Sequence, residues 1–123
     1  MTTLMTCLAL LPIALGASPR AQPWEATPLP GPLRSPATRQ GLAEVNGIKL
    51  SFATYGQGEP VILLHGGAGN GEHWANQVPV LAQRFRVLLV DSRGHGRSTR
   101  DETPLSLELM ADDVLSLLQL YHF

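Results

Sequence analysis

Hydrophobic and polar positions divide the chain into three zones. The first is Leu4 to Leu15, apolar apart from Thr6 and broken by Pro12. The second, Ala17 to Gly41, holds few large apolar side chains and carries prolines at positions 19, 23, 28, 30, 32 and 36. The third begins near Leu42, where the pattern becomes periodic. Ile48, Leu50 and Phe52 alternate with Lys49, Ser51 and Ala53. A period of two predicts a strand with one buried face. Asn46-Gly47 separates this strand from Ala43–Val45, and an Asn-Gly pair accepts the positive φ angles of a type I′ hairpin turn. Gly56 to Pro60 reads as the next turn. Val61–Leu64 and Arg86–Asp91 are short continuous apolar runs, the pattern of strands covered on both faces in parallel sheets. Between them Trp74, Val78, Leu81 and Phe85 fall at near-helical spacing. Pro79 belongs in the first turn of a short helix ending near Arg84, because proline lacks the amide hydrogen that a helix interior needs. Ser106 is placed to cap a second helix with an apolar stripe of Leu107, Met110, Ala111, Val114, Leu117 and Leu118. Glu108, Asp112 and Asp113 then lie toward the positive end of the helix dipole. These elements predict an α/β domain: an antiparallel hairpin, a parallel βαβ unit and one further helix.

The zones imply an organisation. Residues 1–17 match a signal segment, with a cleavage zone at Gly16 or Ala17. That predicts a secreted or periplasmic protein. No Lys or Arg precedes the apolar run, and the competing reading is a cytoplasmic protein with a mis-assigned start. The run is shorter than the roughly 20 apolar residues of a membrane span. Residues 18–41 read as a Pro-rich linker favouring extended backbone, with Trp24 its only aromatic residue. Residues 42–123 carry the domain.

Composition narrows the function. The chain has 123 residues, 44% of them hydrophobic, and a formal net charge of −1. Nucleic-acid binding calls for a clustered basic face, and the nine Lys and Arg are scattered, so no nucleic-acid partner is expected. Cys7 is the single cysteine, which rules out an intrachain disulfide. No His-x-x-x-His pair is present, and Glu72-His73 is not part of an H-E-x-x-H motif, so no metal site is expected.

The chemistry sits in two loops. His65-Gly66-Gly67-Ala68-Gly69-Asn70-Gly71 directly follows the first buried strand. Its four glycines let backbone approach a ligand, and free N–H groups there bind an anion or a developing oxyanion. Gly66 and Gly71 have the outer spacing of a phosphate loop, but Glu72 and His73 stand where Lys and Ser/Thr belong. The second loop is Asp91-Ser92-Arg93-Gly94-His95-Gly96-Arg97-Ser98. Asp91 at a strand end reads first as a turn-former accepting N–H bonds from the Arg93–Gly96 loop, and otherwise as a pocket wall. Arg93, Arg97 and Arg100 read as a solvated turn.

Val61–Gly67 resembles the third strand and His-Gly turn of the α/β-hydrolase fold family. Val87–Ser98 resembles its fourth strand and the Arg-Gly-His-Gly-x-Ser turn after it. Trp74 and Pro79 are spaced as in that family's first helix. The resemblance covers roughly residues 43–123. It implies the N-terminal part of an α/β-hydrolase sheet, truncated before strand five, from a parent that hydrolyses an ester, lactone or related carbonyl substrate without a cofactor. It places an oxyanion-binding backbone N–H at Gly67, with Ala68 as the less favoured neighbour. The family's G-x-S-x-G nucleophile motif is absent. Ser92 lacks the leading glycine, because Val90 stands there, and Ser98 is followed two positions on by Arg100. His65 and His95 read as structural, His73 as part of the turn before the first helix, and His122 as a frayed end. With no nucleophile, acid or base identified, the chain alone is expected to be inactive. Two alternatives stand beside this: a non-catalytic half that pairs with a separately encoded remainder, and an anion- or phosphate-binding module using the glycine loop 66–71. The same resemblance predicts that Val61–Leu64 presents an apolar strand edge through which copies can self-associate.

Overall fold

The structure, a computed structural model, describes residues 31–123. The expected signal segment and residues 18–30 of the Pro-rich linker lie outside the described residues.

Four strands form one mixed sheet: β1 (Arg39–Val45), β2 (Ile48–Tyr55), β3 (Glu59–Leu64) and β4 (Phe85–Val90). Their order across the sheet is β1-β2-β4-β3. β1–β2 and β2–β4 are antiparallel, while β3 and β4 run parallel with Val61 opposite Val87 and Leu64 opposite Val90. The hairpin turn forms at Asn46 (φ 46°) and Gly47 (φ 78°), both positive as a type I′ turn demands. β1 starts at Arg39, earlier than Leu42, and β3 takes in Glu59 and Pro60 from the expected turn.

The connection from β3 to β4 contains a 3₁₀ turn (Gly71–Trp74) and the one-turn helix α1 (Val78–Leu81), with Pro79 in its first turn. Helix α2 spans Leu107–Leu120. Each helix covers a different face of the sheet. Val78 and Leu81 of α1 pack with Tyr55, Val87 and Leu89. Leu117 and Val114 of α2 pack with Leu50, Phe52, Leu88 and Val90 on the other face. Both faces of β4 are therefore buried, as its unbroken apolar run predicts. β3 departs from the same prediction. It pairs only with β4, and Ile62 (37% exposed) and Leu64 (49%) stay open on the α2 face. β2 departs the other way, because Ser51 and Tyr55 on its supposed solvent face are also buried.

The apolar stripe of α2 needs correction. Leu107 is 78% exposed and Ala111 is exposed, whereas Asp113 is 1% exposed. The helix is rotated so that Asp113, Val114 and Leu117 face inward, because Asp113 has an ion-pair partner beneath it. Ser106 caps the helix as expected, its Oγ accepting the Leu109 N–H at 3.1 Å. Ser106→Ala should cost about 1 kcal/mol, the usual value of an N-cap. A loss below roughly 0.3 kcal/mol in urea unfolding would show that α2 is held by packing alone. Among the described residues no helix is long and apolar enough to cross a membrane.

Candidate functional site

Because β3 and β4 are adjacent and parallel, the loops leaving their carboxyl ends emerge side by side. That is where open α/β sheets gather their ligands. The first loop begins with a tight turn in which the Gly69 N–H donates to the Gly66 carbonyl at 3.2 Å. Gly67 and Ala68 are its central residues, and only Ala68 has a positive φ (57°). This is a type II turn with alanine where glycine is preferred. A non-glycine residue there costs roughly 1–2 kcal/mol. None of the four loop glycines has a positive φ, so they are not there for unusual backbone angles. Gly66 and Gly67 instead leave space open, since a Cβ on either meets nothing within 4 Å. Among the described residues the Gly67 and Ala68 N–H groups have no hydrogen-bond partner.

His65 ties this turn to the second loop. Its Nε2 accepts the Ser92 N–H at 2.9 Å, and its Nδ1 lies 2.7 Å from the Gly66 carbonyl. That pattern requires the tautomer with hydrogen on Nδ1, and it leaves no free lone pair to act as a base. Ser92 thus meets His65 through its backbone, not through its hydroxyl. His95 Nδ1 lies 3.0 Å from the Arg93 carbonyl, with its ring 5.2 Å from that of His65. His73 sits in the 3₁₀ turn, and His122 is exposed beyond α2.

Asp91 is buried and joins both loops. Its Oδ1 accepts the Gly71 N–H at 2.8 Å and its Oδ2 accepts the Arg97 N–H at 3.0 Å. It does form turns, as expected, but its partners lie outside the Arg93–Gly96 stretch. Ser98 Oγ accepts the Ser51 N–H at 2.8 Å and donates to the Asp91 carbonyl, so the second loop rejoins the sheet beside β2. The Thr99 N–H adds a bond to the Lys49 carbonyl at 2.9 Å. A broad depression of about 740 Å³ on the α1 face is bordered by Asp91, Arg97, Glu72 and Tyr55. Burial raises the Tyr55 phenol above its ordinary range, opposed by the charge of Arg97.

The arginine reading is corrected at one position. Arg97 is exposed and pairs with exposed Glu72 at 3.2 Å. Arg93 is 1% exposed. Its Nε and Nη2 donate to the two oxygens of Asp113, each at 2.8 Å. Its Nη1 reaches Asp101 at 3.1 Å, and its Nη2 also reaches the Asn46 carbonyl at 3.3 Å. Asn46 Nδ2 donates to Asp113 at 3.0 Å. The hydrogen bond to Asp113 raises the Arg93 guanidinium further above its ordinary range, against the opposing effect of burial. Hydrogen bonds from Thr103 come first in lowering the Asp101 carboxyl. This network fastens the second loop to the β1–β2 turn and to α2, and so sets the height at which Ser92 meets His65.

The strand order, the paired loops and helices on opposite faces define the first half of an α/β-hydrolase-type sheet. The family model for the alpha/beta hydrolase fold matches residues 59–122, and the chain belongs to that family. It is 39% identical over 75 residues to a soluble epoxide hydrolase of Corynebacterium sp. strain C12, covering 61% of this chain and 26% of that protein. It is 42% identical over 72 residues to a pimeloyl-[acyl-carrier protein] methyl ester esterase of Aeromonas hydrophila, covering 58% and 28%. The solved structure of Est816, an N-acyl homoserine lactone degrading enzyme, superposes with a TM-score of 0.64 at 36% identity, covering 67% of this chain and 32% of that one. The chain thus spans about a quarter to a third of the length of these relatives.

Proposed function

We propose that this chain supplies the oxyanion-binding half of a hydrolase acting on an ester, lactone or related carbonyl substrate, with the Gly67 N–H as the donor. The observation that carries the reading is the type II turn 66–69. It leaves two adjacent N–H groups without partners at the carboxyl end of β3, while His65 holds the turn against Ser92. Fixed amides of this kind stabilise an oxygen that turns negative, because they need no reorganisation as charge develops. The named esterase and lactone-degrading relatives support a carbonyl substrate. The acyl-transfer groups themselves are not assembled by the described residues. The acceptor nitrogen of His65 is taken by a backbone N–H, so Ser92 has no general base there. β3 keeps a pairing edge with Ile62 and Leu64 exposed, the surface through which a complementing strand or a second copy would join. The phosphate-loop reading is weaker, since Glu72 places a carboxylate beside the loop.

The chain alone should show no turnover of a short-chain chromogenic ester above background. Turnover that disappears in Ser92→Ala would refute this. The oxyanion role is tested by placing residues 59–122 into the Aeromonas hydrophila esterase in place of its matching segment. Gly67→Pro there removes the N–H at a turn position that proline favours. It should lower kcat about 10²- to 10³-fold with KM little changed. Gly67→Ala keeps the N–H and meets no neighbour, so it should stay near full activity. Equal rates for the two variants would overturn the assignment.

A further inference from the structure

A second site lies at the opposite end of the sheet from the Gly67 turn. β4 rises roughly 13 Å from Arg86 to its end at Val90, at about 3.3 Å per residue. At its starting end a cavity of about 180 Å³ opens between the sheet and the last turn of α2. Phe52, Leu88 and Leu117 form its buried apolar floor. Tyr121 and Phe123 wall it, and Arg39 and Arg86 complete the rim. The Arg39 guanidinium lies 4.2 Å over the Tyr121 ring, and that of Arg86 lies 4.2 Å over the Phe123 ring.

Neither arginine has a carboxylate within ion-pair distance among the described residues, and no Asp or Glu lines the cavity. The Arg86 Nε is buried with no hydrogen-bond partner. A buried donor left unpaired costs free energy and points to a missing acceptor. Stacking on a ring occupies the face of a guanidinium. Its N–H donors lie in the guanidinium plane, so the fork stays available to an anion.

We propose that this cavity binds a small monocarboxylate carrying one ring or a short alkyl group. The two guanidiniums would take the carboxylate and the Phe52–Leu88–Leu117 floor the apolar part. The volume suits that size, since an apolar protein cavity of about 150 Å³ holds benzene. The site is independent of the oxyanion reading, because it shares no residue with the 65–71 loop.

Benzoate titrated into the full chain tests this, with benzyl alcohol as a neutral partner of the same shape. Benzoate should shift the Arg39 and Arg86 Nε–H and the Tyr121 and Phe123 ring signals saturably at millimolar concentration, the range open to so small a ligand. It should leave the Gly67 amide unmoved. Benzyl alcohol should bind about tenfold more weakly, the scale of one charge-assisted hydrogen bond. Arg39→Gln should weaken benzoate by a similar factor. Arg39 is exposed, so this variant keeps the fold even if Arg86→Gln does not. Absence of saturation, equal binding of the alcohol, or an Arg39→Gln variant that binds benzoate like the parent would overturn the proposal.

Discussion

Asp113→Ala is expected to destabilise the chain by about 3–5 kcal/mol, because it strands the Arg93 charge in the interior. Both side chains are 1% exposed and share two hydrogen bonds of 2.8 Å. Without Asp113, Arg93 keeps only the longer contacts to Asp101 and the Asn46 carbonyl; without Arg93, Asp113 keeps only the Asn46 Nδ2 donor at 3.0 Å. Arg93→Met should cost a similar amount, now through an unpaired carboxylate. The double variant Arg93→Met/Asp113→Leu should recover most of the loss, since a buried ion pair exchanged for apolar groups of similar volume is often near neutral. Urea unfolding of the parent, Arg93→Met, Asp113→Leu and the double variant gives the cycle. Single-variant losses under about 1 kcal/mol, or a double variant as unstable as the sum of the two, would contradict the buried-pair account. The consequence for the site is indirect. Arg93 follows Ser92, so loosening it frees the loop whose N–H holds His65.

Gly96→Ala is the second large effect. Gly96 has φ +51°, and a Cβ there would overlap the Asp91 carboxylate. The left-handed backbone alone costs an alanine roughly 1–2 kcal/mol. Displacing the Asp91 carboxylate also breaks its bond from the Arg97 N–H, adding about 1–3 kcal/mol. A total near 3 kcal/mol is expected, lowering Tm by roughly 12–24 °C for a domain of this size. Gly47→Ala is the comparison. Its φ is +78° but nothing lies within 4 Å of the added Cβ, so it should lose only about 1 kcal/mol. Equal losses at the two positions would mean that close packing against Asp91 plays no part.

The second loop shows what a linear pattern hides. Arg93, Arg97 and Arg100 look alike in the sequence, all near glycine and serine, and a solvated turn is the ordinary reading of such a cluster. Only Arg93 is buried. One signal for it did exist: Asp113 falls between Met110 and Leu117 on the helix face that must turn inward, and an acid on an apolar stripe calls for a partner. Nothing in the spacing says which arginine answers. The Asn46 side chain has the same character. Its place in an Asn-Gly turn accounts for the residue, yet it also donates to Asp113 at 3.0 Å.

What the sequence determined by itself is local. Alternation in 48–53, the unbroken runs at 61–64 and 86–91, Asn46-Gly47, Pro79 and the Ser106 cap each act within a few residues, so their periods and turn preferences show along the chain. The His-Gly and Arg-Gly-His-Gly-x-Ser turns were legible for the same reason, and with them the family. The tertiary structure alone decided which residues meet across long separations. It paired Arg93 with Asp113, seated Asp91 between Gly71 and Arg97, turned the acceptor nitrogen of His65 onto Ser92, and stacked two arginines on the aromatic end of α2. Such contacts depend on how the helices rotate and which strands become neighbours. Those choices are set by the summed burial of whole faces, and no single residue or spacing carries that sum.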